Sequence, residues 1–220
     1  MRPFRLGVLV SGEGTNLQAI LDSLHGREGI EVACVAANRP DARGLERARA
    51  AGVPTGAFPA RARADRPARD RELGDFLAGH DVELVVLAGF MELLSPEFLA
   101  RFRDRVVNVH PSLLPAFPGL GAIEQALLYG VRVTGVTVHF VDEGVDTGPI
   151  LMQEAIELPY APDIARVERE SHAVEHRLLP EAIRLIAAGR VRIENAAPGA
   201  RRRVRIESGV STRSRESAPR

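Results

Sequence analysis

In the segment VVNVHPSLLPAFPG (106–119), two polar side chains, Asn108 and His110, end an apolar run begun by Val106 and Val107. Two residues apart on an extended chain, they face the same side. An asparagine amide can donate to a developing oxyanion, and a histidine can carry charge or shuttle a proton near neutral pH. Pro111, Pro115 and Pro118 then keep the chain from becoming helix or strand. A second polar group stands in VHFVDEGVDTGPI (138–150), where Asp142, Glu143 and Asp146 separate two apolar stretches. Acidic turns of this kind are ordinarily just solvated. A carboxylate brought beside His110, however, would favour the charged imidazole and could receive a proton. His139, inside the apolar stretch, reads as a packed, hydrogen-bonded histidine.

Two more motifs each have a plain alternative. SGEGTN (11–16) lies between a strand pattern and a helix pattern. Its glycines let backbone approach a ligand, and exposed amides at the helix start, with Thr15 and Asn16 nearby, suit a phosphate. It equally fits a tight turn with no ligand, and Glu13 must point away from any anion. The third glycine of the dinucleotide fingerprint would fall at Leu17, so that motif is excluded. HAVEH (172–176) matches a zinc-peptidase pattern, with two histidines on one helical face. A third protein ligand is needed and little chain follows to supply it, so no metal is expected.

The elements that must position these residues alternate. Strand patterns occupy 5–11, 30–38, 54–58, 82–90, 133–141 and 148–158; helix patterns occupy 15–25, 42–52, 66–80, 122–130 and about 162–188. Such alternation predicts an α/β fold, an open, mostly parallel twisted sheet with helices on both faces. Its ligands would lie at the carboxyl ends of the strands, where Asn108 and His110 stand. From Pro198 the composition changes to PGARRRVRIESGVSTRSRESAPR, with seven arginines, two glutamates and little to bury. Residues 1–197 are therefore expected to form one domain and 198–220 a disordered, solvated tail.

Composition excludes several classes. All 29 basic residues are arginine, so there is no Schiff-base lysine and no P-loop lysine. Net charge is zero, which offers no case for a nucleic-acid partner. The apolar run 84–94 is short and interrupted by Glu92, so no membrane association is expected. The single cysteine, Cys34, fits a reducing compartment, and a cytoplasmic protein is expected.

Taken together, SGEGTNLQAI, GLERARAAG, VVLAGFMELLSPEFL, VNVHPSLLPAFPG, VTGVTVHFVDEGVDTGPI and VEHRLLPEAI resemble, in order, the phosphoribosylglycinamide formyltransferase family across about residues 5–195. The resemblance implies a Rossmann-like N-terminal half. It also implies transfer of the formyl group of 10-formyltetrahydrofolate to the amine of glycinamide ribonucleotide, a step of purine synthesis. These two small molecules are the expected partners, in a monomer or homodimer. By residue, the resemblance makes Asn108, His110 and Asp146 the catalytic trio. It gives Gly14, Thr15, Asn16 and Glu175 to the ribonucleotide, and Arg66, Met91 and Leu94 to the folate, together with the backbone of 139–146. Glu92 departs from the family, which often has arginine there to grip the folate's acidic tail. Gly121 and Ile123 stand where polar residues are common. The related methionyl-tRNA formyltransferases carry a substantial C-terminal tRNA-binding domain, and formyltetrahydrofolate deformylases an N-terminal regulatory one; neither is expected here. A non-catalytic nucleotide-binding module is the alternative from another class.

Overall fold

The computed structural model describes residues 2–60, 65–161, 163–196 and 200–207. In chain order the elements are β1 (Phe4–Val10), α1 (Thr15–Ser23), β2 (Ile30–Ala37), α2 (Arg43–Ala50), β3 (Thr55–Ala57), α3 (Arg66–Gly79), β4 (Leu84–Leu87) and α4 (Pro96–Arg101). Then follow β5 (Val106–His110), α5 (Ala122–Tyr129), β6 (Val133–Phe140), β7 (Ile150–Glu157), α6 (Ile164–Ala187), β8 (Val191–Glu194) and β9 (Arg203–Ile206). Seven strands form one sheet in the order β3-β2-β1-β4-β5-β6-β7. The first five in that order are parallel, and β6 and β7 are each antiparallel to the neighbour before them. The short loop between β6 and β7 dictates that pairing, since a parallel pair needs a long crossover.

Period-two alternation in the central strands splits the core between the two faces. Leu6, Val8 and Val10 of β1 point to one face, where Leu17, Ile20, Leu45, Leu179 and Ile183 of the helices cover them. Leu9 points to the other, against Leu73, Leu77 and Phe98. Both faces of β1 and β4 are buried, and both strands read as continuous apolar runs for that reason. Helix α4 has no counterpart among the expected elements. It is one short stretch with Pro96 in its first turn and Ser95 accepting from the Phe98 amide as its cap.

The neighbours β1 and β4 connect in opposite directions, β1 through α1 to β2 and β4 through α4 to β5. Their carboxyl ends therefore open a crevice at the switch point. The loops that follow them are tied together there: Ser11 N–H donates to the Gly89 carbonyl at 3.1 Å and Met91 N–H to Ser11 Oγ at 2.8 Å.

The expectation of a solvated tail from residue 198 is corrected at its start. Strand β9 pairs antiparallel with β8, placing Val191 opposite Ile206 and Ile193 opposite Val204. Val191, Ile193 and Val204 pack on the main core. Apolar residues alternating with arginines supply one face of a hairpin, enough for a strand once a partner strand is alongside. Residues 198, 199 and 208–220 of the expected tail lie outside the described residues.

Candidate active site

Strand β5 pairs with β4 only as far as Asn108, opposite Leu87, so its last residues project past the sheet's shorter strand. On its other side β6 places His139 opposite Asn108 and Thr137 opposite His110. The chain after β5 is fastened to the sheet by polar side chains. Thr137 Oγ donates to the Ser112 carbonyl at 2.6 Å and accepts from the Leu114 amide at 3.1 Å. Gln153 of β7 donates to the Leu114 carbonyl at 2.9 Å. The prolines deny this segment a regular structure, and these bonds give it a fixed one.

The expected trio converges. His110 is buried, with Nε2–H donating to the Phe117 carbonyl at 2.8 Å and Nδ1 lying 3.4 Å from Asp146 Oδ2. Phe117 thus holds one proton on Nε2, and the second proton of a charged imidazole belongs on Nδ1, the atom facing Asp146. Asp146 Oδ2 also accepts the Gly119 N–H at 2.7 Å. Its Oδ1 lies 3.5 Å from both Asn108 Nδ2 and His139 Nε2. Burial pushes the Asp146 carboxyl up, but hydrogen bonding to His139 and Gly119 and the charges of the two histidines outweigh it. The result is a pKa lowered to about 2, and the group is a carboxylate at neutral pH. His139 is fully buried, as a packed histidine should be, with Nδ1–H donating to the Phe140 carbonyl at 2.9 Å. Its Nε2 stands 3.3 Å from Asn108 Nδ2. The Asn108 amide is thus held only by two long contacts, to His139 and to Asp146.

These groups sit in the wall of a cavity of about 540 Å³, a volume suited to a cofactor-sized organic molecule. Arg66, Met91 and Leu94 line the same cavity, as do Leu120 and Val145. Its walls are therefore mainly apolar, with the polar trio at one part of them.

Gly14, Thr15, Asn16 and Glu175 are not among the lining residues. Asn16 and Glu175, 159 residues apart, meet directly, Asn16 Nδ2 donating to Glu175 Oε2 at 2.8 Å. Both are buried, and Asn16 Oδ1 has no protein partner. Burial raises the Glu175 pKa, against the opposing pull of the Asn16 hydrogen bond and the His172 charge. Glu13 points out to α2, where it pairs with Arg43 at 3.1 Å. That is the orientation an anion site in this loop requires. Gly14 has a further reason to be glycine: φ is +70°, and an added Cβ would lie 2.6 Å from Gly44 Cα of α2.

Residues 4–183 match the family described as formyl transferase. The chain belongs to the formyltransferase family. Phosphoribosylglycinamide formyltransferases of Haemophilus influenzae and Bacillus subtilis are 38% and 39% identical to it, over 87% and 82% of this chain and 91% and 93% of theirs. The structure of glycinamide ribonucleotide transformylase 1 from Symbiobacterium toebii superposes with a TM-score of 0.87 at 50% identity, covering 94% of this chain and 95% of that one.

For a formyltransferase, the surroundings of Glu92 are instructive. Glu92 accepts from Asn38 Nδ2 at 2.7 Å and lies 2.8 Å from Arg69 Nη1. Arg69 is itself buried and donates to Asp70 Oδ1 at 2.6 Å, while Asp70 Oδ2 accepts the Ser95 N–H that begins α4. One guanidinium is therefore shared by two carboxylates, with its Nη2 buried and without a protein partner. Ile123 is a core residue packed with Leu158 and Val167, whereas Gly121 lines the cavity and caps α5. The HAVEH glutamate faces Asn16, and the rings of His172 and His176 stack at 6.2 Å. The described residues contain no group of three or more His, Cys, Asp or Glu able to hold a metal. No helix among them is long and apolar enough to cross a membrane. Cys34 is fully buried, its thiol pushed up to about 12 by burial, so it is a neutral thiol at neutral pH. Gln153 and Arg69 support the site from outside every motif, while Phe117, Gly119 and Thr137 lie within motifs whose spacing gives no sign of the contacts they make.

Proposed function

We propose that this formyltransferase moves the formyl group of 10-formyltetrahydrofolate to the amine of glycinamide ribonucleotide, with Asn108, His110 and Asp146 as its catalytic groups. The observation that carries the proposal is the convergence of an amide donor, an imidazole and a carboxylate on one cavity at the carboxyl edge of the sheet. The amine attacks the formyl carbon, forming a C–N bond and a tetrahedral oxyanion. Asn108 Nδ2–H and a protonated His110 Nδ1 donate to that oxyanion, each worth about 3 kcal/mol by analogy with other oxyanion holes. Asp146 orients the His110 ring and helps carry the proton lost by the attacking amine towards the leaving nitrogen. When the intermediate collapses, the bond from carbon to N10 breaks and N10 receives that proton. Because Phe117, Gly119, Thr137 and Gln153 already hold these groups, little reorganisation remains for the reaction step.

The apolar cavity with Arg66, Met91 and Leu94 suits the folate, and Gly14, Thr15, Asn16 and Glu175, which stand outside that cavity's lining, suit the ribonucleotide. No metal enters this chemistry. Zero net charge and a single buried thiol fit an enzyme that acts on small molecules in the cytoplasm. The test is formyl transfer from 10-formyltetrahydrofolate with and without glycinamide ribonucleotide, followed through the deformylated folate. Turnover that needs the ribonucleotide and is lost in Asp146→Asn is the expected result. Equal turnover in water alone would make the chain a deformylase, and no turnover would move the site to another acceptor.

A further inference from the structure

The chain beyond α6 returns to the trio through two consecutive arginines. Arg202 makes a two-pronged pair with Asp104, Nη1 to Oδ1 at 2.8 Å and Nη2 to Oδ2 at 2.7 Å. Asp104 lies in the turn that leads into β5, the strand carrying Asn108 and His110. Arg201 reaches the opposite flank. Its Nη2 donates to the main-chain carbonyls of Asp146 at 3.2 Å and Gly148 at 3.1 Å. Strand β9 follows directly and anchors both arginines by pairing with β8.

Asp146 needs such a hold. Its φ of +52° lies in the left-handed region, where a residue with a side chain is strained and persists only if its surroundings fix it. The carboxylate is fixed by the Gly119 amide, but that bond leaves the backbone free to swing about the side chain. The loop is tied across its neck by Thr147, whose hydroxyl donates to Asp142 Oδ1 at 2.6 Å, and at Gly148 by contact so close that an added Cβ would overlap the Phe140 carbonyl oxygen; the Asp146 carbonyl itself is held by Arg201.

We propose that Arg201 is a positioning residue: by holding the 146 and 148 carbonyls it keeps the Asp146 backbone in its strained conformation and the carboxylate against His110. This inference rests on the proposed catalytic role of Asp146. It gives the arginine-rich C-terminal stretch a role in catalysis without contact with substrate.

Steady-state formyl transfer and thermal unfolding of the parent chain, Asp146→Asn, Arg201→Ala, Arg201→Lys and Arg203→Ala test it. Arg203 is exposed on β9 opposite Glu194 and serves as the control. Arg201→Ala is expected to lower kcat roughly ten- to a hundredfold, the cost of a misplaced catalytic group, with KM for the ribonucleotide unchanged. Its melting temperature should stay near the parent's. Arg201→Lys should recover much of the kcat, because an ammonium can still donate to a carbonyl, and Arg203→Ala should match the parent. A parent-like kcat in Arg201→Ala, with Asp146→Asn inactive, overturns this inference alone. So does a loss in Arg201→Ala that tracks a fall in melting temperature and is equal in Arg201→Lys, which is a structural role only. Full activity in Asp146→Asn would instead overturn the catalytic reading of Asp146 and this inference with it.

Discussion

Replacing Gly14 with alanine separates two jobs that glycine could have in the loop after β1. At φ +70° any residue with a Cβ suffers the left-handed penalty, about 1–2 kcal/mol. The new Cβ would also stand 2.6 Å from Gly44 Cα and 3.3 Å from Gly44 N, backbone atoms of α2 that cannot rotate aside. Overpacking of that kind costs about 1–3 kcal/mol. Alanine restricts the unfolded chain as well, which offsets about 0.4–1 kcal/mol. The net loss is about 1–4.6 kcal/mol, which in a chain of this size lowers the melting temperature by roughly 2–18 °C. Gly12→Ala is the matched comparison. Nothing lies within 4 Å of a Cβ built there and its φ is not positive, so stability should stay within about 0.5 kcal/mol. If the loop cradles a phosphate through close backbone approach, Gly12→Ala should raise KM for the ribonucleotide with no thermal cost. Circular-dichroism melts beside formyl-transfer kinetics decide it. A parent-like melt for Gly14→Ala would refute the packing account, and a Gly12→Ala that melts as low as Gly14→Ala would refute the division of labour.

Asn108→Ala should lower kcat by about 10²–10³ with little change in KM, the mark of a donor used only in the transition state. Its melting temperature should barely move, since in the free protein the amide makes only long contacts, 3.3 Å to His139 and 3.5 Å to Asp146; a rise in KM with kcat preserved would assign Asn108 to binding instead. Glu175→Gln should flatten the pH dependence of stability. Burial raises Glu175, so its contribution is full below the unfolded value near 4.5 and is lost as pH rises through the raised folded value. Melts at pH 5 and pH 8 should therefore show the glutamine variant gaining on the parent at pH 8, and a parallel fall in both proteins would contradict the burial account.

What was legible in the sequence, and what was not, divides by the range of the interaction. Asn108 and His110 were legible because an apolar run ending in alternate polar residues is a local pattern, and strand period two decides which side they face. Asp146 needed the resemblance, since nothing local distinguishes it from Asp142 in the same turn. The parallel core was legible from alternating elements, as was the position of the site at its carboxyl edge. Gly14 was half legible: the positive φ of a strand-to-helix turn is local, but its contact with Gly44 joins two helices.

The charged groups were least legible, because a charge has no periodicity and its partner can stand anywhere. Glu92 invited a comparison with an arginine at the same position, yet its behaviour is decided by Arg69 and Asn38, from α3 and the end of β2. The C-terminal arginines looked like a solvated run for the same reason. Composition correctly says that such a stretch cannot build a core of its own. It cannot say that β8 offers a partner edge, or that Asp104 and two carbonyls of the Asp146 loop stand within reach of Arg202 and Arg201. A surface ion pair contributes little to stability in general. Here the pair with Asp104 and the bonds to the Asp146 loop flank the strand that carries the proposed catalytic groups, so their effect should be read in kcat, where a small displacement of a carboxylate is amplified, before it is read in a melting curve.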